Sequence, residues 1–375
     1  MPFNKPWISG KEFDYIRQAA KNGHLSGNGP FTQKCQTFFM ERYGLQGCFL
    51  TTSCTDALEM AAMLINIKPG DEVIIPSFTF VSTALAFARQ GAIIRFVDSG
   101  AGKPGIGEDI IEDLINENTR AIIPVHYAGV SCDMDKIMNL AEKYNIYVIE
   151  DTAHGIESLY KGKHLGSIGH FGCFSFHEAK NIHCGEGGML AVNERHYIDR
   201  AEKIWEKGTN RAQFFRGEAS YYEWKDTGSS FLPSEIIAAF LYSQLEDIDV
   251  IQKRRLNLWH QYNSGFKKFH CEKYIKLPVI PEYATINGNS FYLICRDRSV
   301  RDGLISHLKK YGVMLLSHYL PLHKSEYYSK KHDGRILARS EKYSETIVRF
   351  PIYFELKEEQ VDDIVNKTHS FLCNY

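Results

Sequence analysis

The chain has 375 residues, with 44 Lys plus Arg against 45 Asp plus Glu and a net charge of −1. That length exceeds one ordinary domain and can bury a substantial core. The charge balance excludes a basic field for a nucleic-acid backbone. No apolar run reaches about 18 residues, and the start, MPFNKPWISGKEFDYI, has no apolar leader, so neither a membrane span nor a signal peptide is expected.

Short apolar runs alternate with helix-like stretches. GCFLTTS (47–53) predicts a strand and TDALEMAAMLIN (55–66) a helix. DEVIIPS (71–77) and AIIRFVD (92–98) predict strands flanking the helical FVSTALAFARQ. RAIIPVHYA (120–128) and YVIED (147–151) flank DMDKIMNLAEKYN in the same way. FGCFSFH (171–177) and GGMLAV (187–192) follow as two more strands. Strands apolar on both faces, alternating with helices, predict a buried, mostly parallel α/β sheet. Residues 234–266 keep a helical period and read as one long or broken helix. The remainder reads as strand 289–297, helix 300–312, strand 313–319 and a helix near 357–372. We therefore expect a large α/β domain over 1–245, and a linker helix with a small α+β domain over 246–375.

The nine cysteines are Cys35, Cys48, Cys54, Cys132, Cys173, Cys184, Cys271, Cys295 and Cys373. None forms a C-x-x-C pair, so free thiols, a reducing cytoplasmic location and no metal site are expected.

Four segments point to chemistry. In TTSCTDALEM (51–60) a helix begins directly after a strand. Ser53 or Thr55 can cap it, and its free N–H groups can hold a phosphate. Taken alone, the segment reads better as an ordinary cap without a ligand, because such caps are common. In PSFTFVSTA (76–84), Phe80 follows a strand's C-terminal end, where ligands of open α/β sheets bind. It can stack on a flat heterocycle or simply fill core. In VIEDTAHG (148–155), Asp151 ends a buried strand and can hold a protonated pyridine nitrogen. His154 can reach a phenolate or a substrate. A helix cap and a structural histidine are the alternatives. In GCFSFHEAKNIHCGEGGMLAV (172–192), Lys180 lies between two strands, where burial lowers an amine's pKa and makes it a nucleophile for an aldehyde. Ser175 can donate to a phosphate. A surface-loop lysine is the lesser alternative. No G-x-G-x-x-G follows the first strand, which speaks against a nucleotide-dependent oxidoreductase.

These segments, with HLSGNGPFT (24–32), PVHYAGVSCDMD (124–135), GSSFLPSEIIAAFLYSQLE (228–246), HYLPLH (318–323) and RFPIY (349–353), resemble the DegT/DnrJ/EryC1/StrS sugar aminotransferases nearly end to end. The resemblance implies the type I fold of pyridoxal 5′-phosphate (PLP) enzymes, with a mostly parallel seven-stranded sheet, and a homodimer with shared active sites. It places Lys180 at the Schiff-base position, Asp151 at the pyridine nitrogen and Phe80 over the ring. Ser175 and the Ser53–Cys54–Thr55 turn fall at the phosphate. His154 stands where most members carry Gln. Many members reach the phosphate across the dimer with an Asn or Arg from the segment equivalent to 228–233. This chain has neither there, and Ser229 or Ser230 is the candidate substitute. Related sugar deoxygenases carry His at the lysine position, so Lys180 implies transamination.

IGHFGCFSFHE, EKGTNRAQFFRG and DTGSSFL are similar to the dTDP-4-amino-4,6-dideoxygalactose transaminases. That similarity implies L-glutamate as donor and dTDP-4-dehydro-6-deoxy-D-glucose as acceptor, with a product destined for enterobacterial common antigen or O-antigen. A 3-aminotransferase of the same family and a non-catalytic PLP-binding protein are the competing readings. HLSGNGPFT, His318, Tyr319 and His323 are candidate sugar-nucleotide contacts, with structural packing as the equal alternative.

Overall fold

Apolar runs that must be buried on both faces can satisfy their backbone only as interior strands of one sheet. The computed structural model, which describes residues 1–269 and 273–375, shows that arrangement. In chain order it has α1 (Lys11–Lys21), α2 (Pro30–Tyr43), β1 (Gly47–Thr51), α3 (Cys54–Leu64), β2 (Glu72–Pro76), α4 (Ser82–Ala88), β3 (Ile93–Val97), β4 (Thr119–Ile122), α5 (Met134–Tyr144) and β5 (Tyr147–Asp151). A small hairpin, β6 (Leu159–Tyr160) and β7 (Lys163–His164), precedes β8 (Phe171–Ser175) and β9 (Gly188–Val192). Then come α6 (Ile198–Trp205), α7 (Arg211–Phe215), α8 (Glu235–Glu246) and α9 (Ile248–Lys267). The chain ends with β10 (Ile275–Lys276), β11 (Phe291–Cys295), α10 (Arg298–Lys309), α11 (Ala338–Thr346), β12 (Ile347–Phe350) and α12 (Glu358–Cys373).

The main sheet has seven strands in the order β1-β9-β8-β5-β4-β2-β3. Its β8-β5-β4-β2-β3 part is parallel, whereas β9 runs antiparallel to both its neighbours. The fold is the mostly parallel α/β architecture expected from the sequence. Cores lie on both faces, one under α3 and α4, one under α2 and α8 and one under α5.

Residues 234–266 form two helices, α8 and α9, separated at Asp247. Helix α8 packs with the main sheet. Helix α9 sends Leu258, Tyr262 and Phe266 into a second core with Phe291 and Phe350 of the three-stranded sheet β10-β11-β12.

Some elements differ from expectation. The strand predicted over 120–128 ends at Ile122, because Pro124 offers no N–H and Val125 makes only a single bridge to Asp151. The strand predicted over 313–319 is not one. Only Leu316 pairs there, with Arg349, and the third strand of the small sheet is β12. Helices α1 and α2 were not expected, although α2 carries legible signals. Pro30 opens it, and Gly44 at φ 68° closes it. The eight described cysteines are free thiols, and Cys271 lies outside the described residues. Among the described residues no helix is long and apolar enough to cross a membrane.

The start of α2 depends on one buried acid. Glu235 of α8 accepts from the N–H groups of Gly29 (3.0 Å), Phe31 (2.7 Å) and Thr32 (3.0 Å), and from the Thr32 hydroxyl. Removing it leaves these donors buried and unpaired. Glu235→Ala should cost roughly 3 kcal/mol, read as a lower urea midpoint at unchanged slope. A midpoint equal to wild type would show that water replaces the carboxylate.

Candidate active site

Sheet register brings the site together. Thr51 of β1, Gly188 of β9 and Ser175 of β8 lie in one row across three strands. Gly188 is there because nothing larger fits: a Cβ would stand 2.3 Å from the Ser53 carbonyl carbon and 2.4 Å from the Cys54 nitrogen. The N-terminus of α3 is thereby pressed against the end of β9, next to Ser175. Ser53 caps α3 by accepting from the Asp56 N–H at 3.1 Å. The N–H groups of Cys54 and Thr55, which have no partner within the helix, remain for a ligand.

The cavity above this row has a volume of 510 Å³, within the range of small-molecule sites. Ser53, Cys54, Thr55, Phe80, Asp151, His154, Ser175, Lys180, His318 and Tyr319 all line it. Ten of the twelve expected residues thus share one space.

Lys180 sits on a braced loop. Phe176 and Gly187 close its base through a 2.8 Å backbone hydrogen bond, Glu178 bonds to Gly185 at 2.8 Å, and the Lys180 N–H donates to His177 at 2.9 Å. Gly185 turns the loop at φ 83°. Burial pushes the amine down to about 8; Cys54 and Asp151 oppose the shift, and the positive charge of Arg349 adds to it. The lysine is therefore no ordinary surface-loop cation.

Asp151, 5% exposed, ends β5. No helix starts behind it, which removes the cap reading. Its Oδ1 accepts from the Ala153 N–H at 3.1 Å and its Oδ2 from the Thr83 hydroxyl at 2.7 Å. Since the Thr83 proton is committed to Asp151, Thr79, 3.0 Å away, donates to Thr83. This relay fixes the carboxylate's plane.

Burial, with the charge of Lys180, holds the His154 pKa well below its ordinary value, so the ring is neutral. Its Nδ1 accepts from the Ala128 N–H at 3.2 Å, which leaves Nε2–H as the donor. Phe80 is 56% exposed, so it is not core; its ring centroid lies 6.0 Å from that of Tyr319.

Two expected residues do not reach this cavity. His323 is buried and bonds through Nδ1 to the Ser77 hydroxyl at 2.7 Å, with Glu341 on its other nitrogen, so packing explains it. Ser230 lies on an exposed segment, bridged to Glu206, as does its neighbour Ser229. HLSGNGPFT lies away from the cavity too, tied down by Glu235 and lining a separate groove. Conversely, Arg255, Asn289 and Arg349 line the cavity and were not singled out in the sequence. Arg349 stood in a quoted motif, RFPIY, but nothing in one sequence shows that its side chain turns inward.

Residues 6–369 match the model of the DegT/DnrJ/EryC1/StrS aminotransferase family. The chain belongs to that family. It is 32% identical to MJ1066, an uncharacterized protein of Methanocaldococcus jannaschii, over 98% of this chain and 96% of the relative. It is 29% identical to SpsC, a spore coat polysaccharide biosynthesis protein of Bacillus subtilis, over 97% and 95%. An aminotransferase from Psychrobacter cryohalolentis superposes with a TM-score of 0.93 at 25% identity, over 100% and 99% of the two chains.

The protein is thus an aminotransferase, and its cofactor is PLP. The cavity fits that group: a phosphate cradle at α3 and Ser175, a fixed carboxylate, an exposed aromatic and a depressed amine share it. Only the neutral amine attacks an aldehyde, so PLP capture by the apoprotein should rise about ten-fold per pH unit up to about 8 and then level. A rate still climbing toward about 10.4, the value of an unperturbed lysine, in stopped-flow absorbance would contradict the burial effect.

Proposed function

We propose that this aminotransferase moves the amino group of L-glutamate onto a nucleotide-linked keto-sugar. The acceptor is dTDP-4-dehydro-6-deoxy-D-glucose and the product dTDP-4-amino-4,6-dideoxy-D-galactose. The observation that carries the reading is the convergence of Lys180, Asp151 and the Ser53–Ser175 cradle in one cavity. The sugar class is supported by SpsC, whose name places it in polysaccharide biosynthesis. The particular sugar rests on the likeness of residues 168–178, 206–217 and 226–232 to the 4-amino-4,6-dideoxygalactose transaminases.

In this reading bound PLP supplies an electron sink for charge developing at the donor's α-carbon. Ser175 and the Cys54 and Thr55 N–H groups hold its phosphate. Phe80 covers one face of the ring. Asp151, oriented by Thr83, keeps the ring nitrogen protonated. His154 donates through Nε2 to the ring hydroxyl. Lys180 would hold the cofactor through its amine and, once that amine is free, would carry the proton to and from the substrate carbon. His318 and Tyr319 face the sugar.

The reading includes a cytoplasmic homodimer. Phe215, Tyr221 and Trp224 are 71%, 73% and 81% exposed, on the stretch that leads to Ser229 and Ser230. Such an aromatic patch calls for a protein partner. In such a homodimer Ser230 is the candidate for the cross-subunit phosphate contact that the family resemblance implies.

Lys180→Ala should lower turnover at least about a hundred-fold and abolish borohydride-fixed label, while PLP is still bound through the cradle. Undiminished turnover would sink the assignment. With wild type, glutamate and dTDP-4-dehydro-6-deoxy-D-glucose, NMR should show an axial amine at C4 of the product. An amine at C3 or an equatorial one would overturn the proposed substrate assignment.

A further inference from the structure

Residues 287–290 have no role in the reading above, yet Asn287, Asn289 and Ser290 are all polar and all buried. The stretch precedes β11 and enters between α9 and the loop that bears Lys180. Gly288 lets it in: its φ is 62°, and a Cβ there would stand 2.7 Å from the Arg255 backbone. Arg255 then pins it, with Nε on the Gly288 carbonyl and Nη2 on the Asn289 carbonyl, each at 3.1 Å.

The partners of this stretch lie beside two residues of the site. Asn287 Nδ2 donates to the carbonyls of His154 and Ile156, both at 2.7 Å. Asn181 directly follows Lys180 and is buried. Its Nδ2 donates to the Asn287 carbonyl and to Gln252 Oε1, both at 2.8 Å, and its Oδ1 accepts from Asn289 Nδ2 at 3.1 Å. A carbonyl only accepts, so the Asn287 carbonyl fixes which end of the Asn181 amide faces it and leaves Oδ1 to Asn289. Asn289 is ordered in turn: its Oδ1 accepts from the Ser290 hydroxyl at 3.1 Å, and that hydroxyl accepts from Arg349 Nη2. Asn181 therefore has a single orientation.

Packing alone does not ask for this. An apolar side chain of similar size fills such a space with no hydrogen bonds to satisfy. What a fully paired polar network adds is one defined arrangement. Here it ties Lys180, through Asn181, to the main chain of His154, through Asn287. The other anchors of the Lys180 loop lie farther along it, with Ile182 in the core and His183 on the Trp7 carbonyl.

We propose that Asn181 is a positioning residue: clamped by Asn289 and by the Asn287 carbonyl, it holds the Lys180 amine inside the cavity and in register with His154. The proposal rests on the role given to Lys180 above. Without the clamp the loop moves outward and water reaches the amine, so the desolvation that depresses it falls away. Cys54 of α3, Asp151 of β5, His154, Arg349 of β12, and His177 and Glu186 of its own loop share the cavity with the amine. None of them bonds to the Asn181 amide, so the shift on losing it is upward.

The test follows PLP capture by the full-length apoprotein against pH, in stopped-flow absorbance, with borohydride fixation and peptide mapping of the product. It compares wild type, Asn181→Ala, Asn289→Ala and the double variant. Asn181→Ala should capture PLP at least about ten-fold more slowly at neutral pH, the equivalent of one buried hydrogen bond, and its rate should level at a higher pH than that of wild type. Asn289→Ala should move both readouts the same way by less, and it carries the test if Asn181→Ala does not fold. Because Asn289 acts through Asn181, the double variant should stay within about two-fold of Asn181→Ala. A folded Asn181→Ala with the wild-type rate and pH profile overturns the proposal, even if its urea midpoint falls, since the amide would then serve stability alone. Effects that multiply in the double variant overturn the clamp by Asn289. Fixation of PLP on a different lysine in wild type would refute the role of Lys180 and the proposal with it, whereas the other failures leave that role standing.

Discussion

The contact that everything else in the site depends on is between two backbones, at Gly188 and at the Ser53–Cys54 peptide. A parallel strand in place of β9 would carry its chain to the opposite end of the sheet. Because β9 runs antiparallel, the loop after β8 returns at once, and Lys180 is held within a short span of both strand ends. Because Gly188 has no side chain, the first turn of α3 can sit against that return. A phosphate cradle and a nucleophilic amine are thus fixed by one packing event rather than by separate loops.

The cavity's charges follow from where each element ends. Strand β5 delivers Asp151, which faces Lys180, Arg255 and Arg349 in the same lining; Glu186 also lines it but is largely exposed. His154 is kept neutral, so it adds no further cation. The enclosed region therefore holds more positive than negative groups. That imbalance suits ligands that arrive with phosphate or carboxylate groups, and it explains why the amine at Lys180 is depressed although an acid is nearby. Desolvation and a second cation together outweigh the carboxylate.

The large sheet was legible because its strands are short, largely apolar runs bounded by polar turns, and most of their residues are buried on both faces. Lys180, Asp151, Ser175 and Phe80 were legible for a related reason: each lies at or just beyond a strand's C-terminal end, where the topology fixes position. The errors share a cause as well. VMLLSHY has the composition of a strand, but the ladder beside β11 is taken by β12, and only Leu316 finds a partner. His323 looks like a ligand in HYLPLH, yet Ser77 claims its ring. Pairing partners distant in sequence decide both cases, and a single chain of letters does not reveal them.

Arg349 shows the same limit from the other side. In the sequence it follows Val348 and precedes Phe350, two fully buried side chains. In a strand alternate residues face opposite ways, so one side chain between two core residues must point away from that core. Here the far side of β12 is no solvent face. It lines the active-site cavity, and the segment carrying His318 runs along its edge, held by the paired backbone of Leu316 and Arg349. The misread strand and the overlooked arginine are thus one structural fact. The chain over 313–319 leaves the sheet after a single bridge, and its His318 then lies against the Arg349 guanidinium.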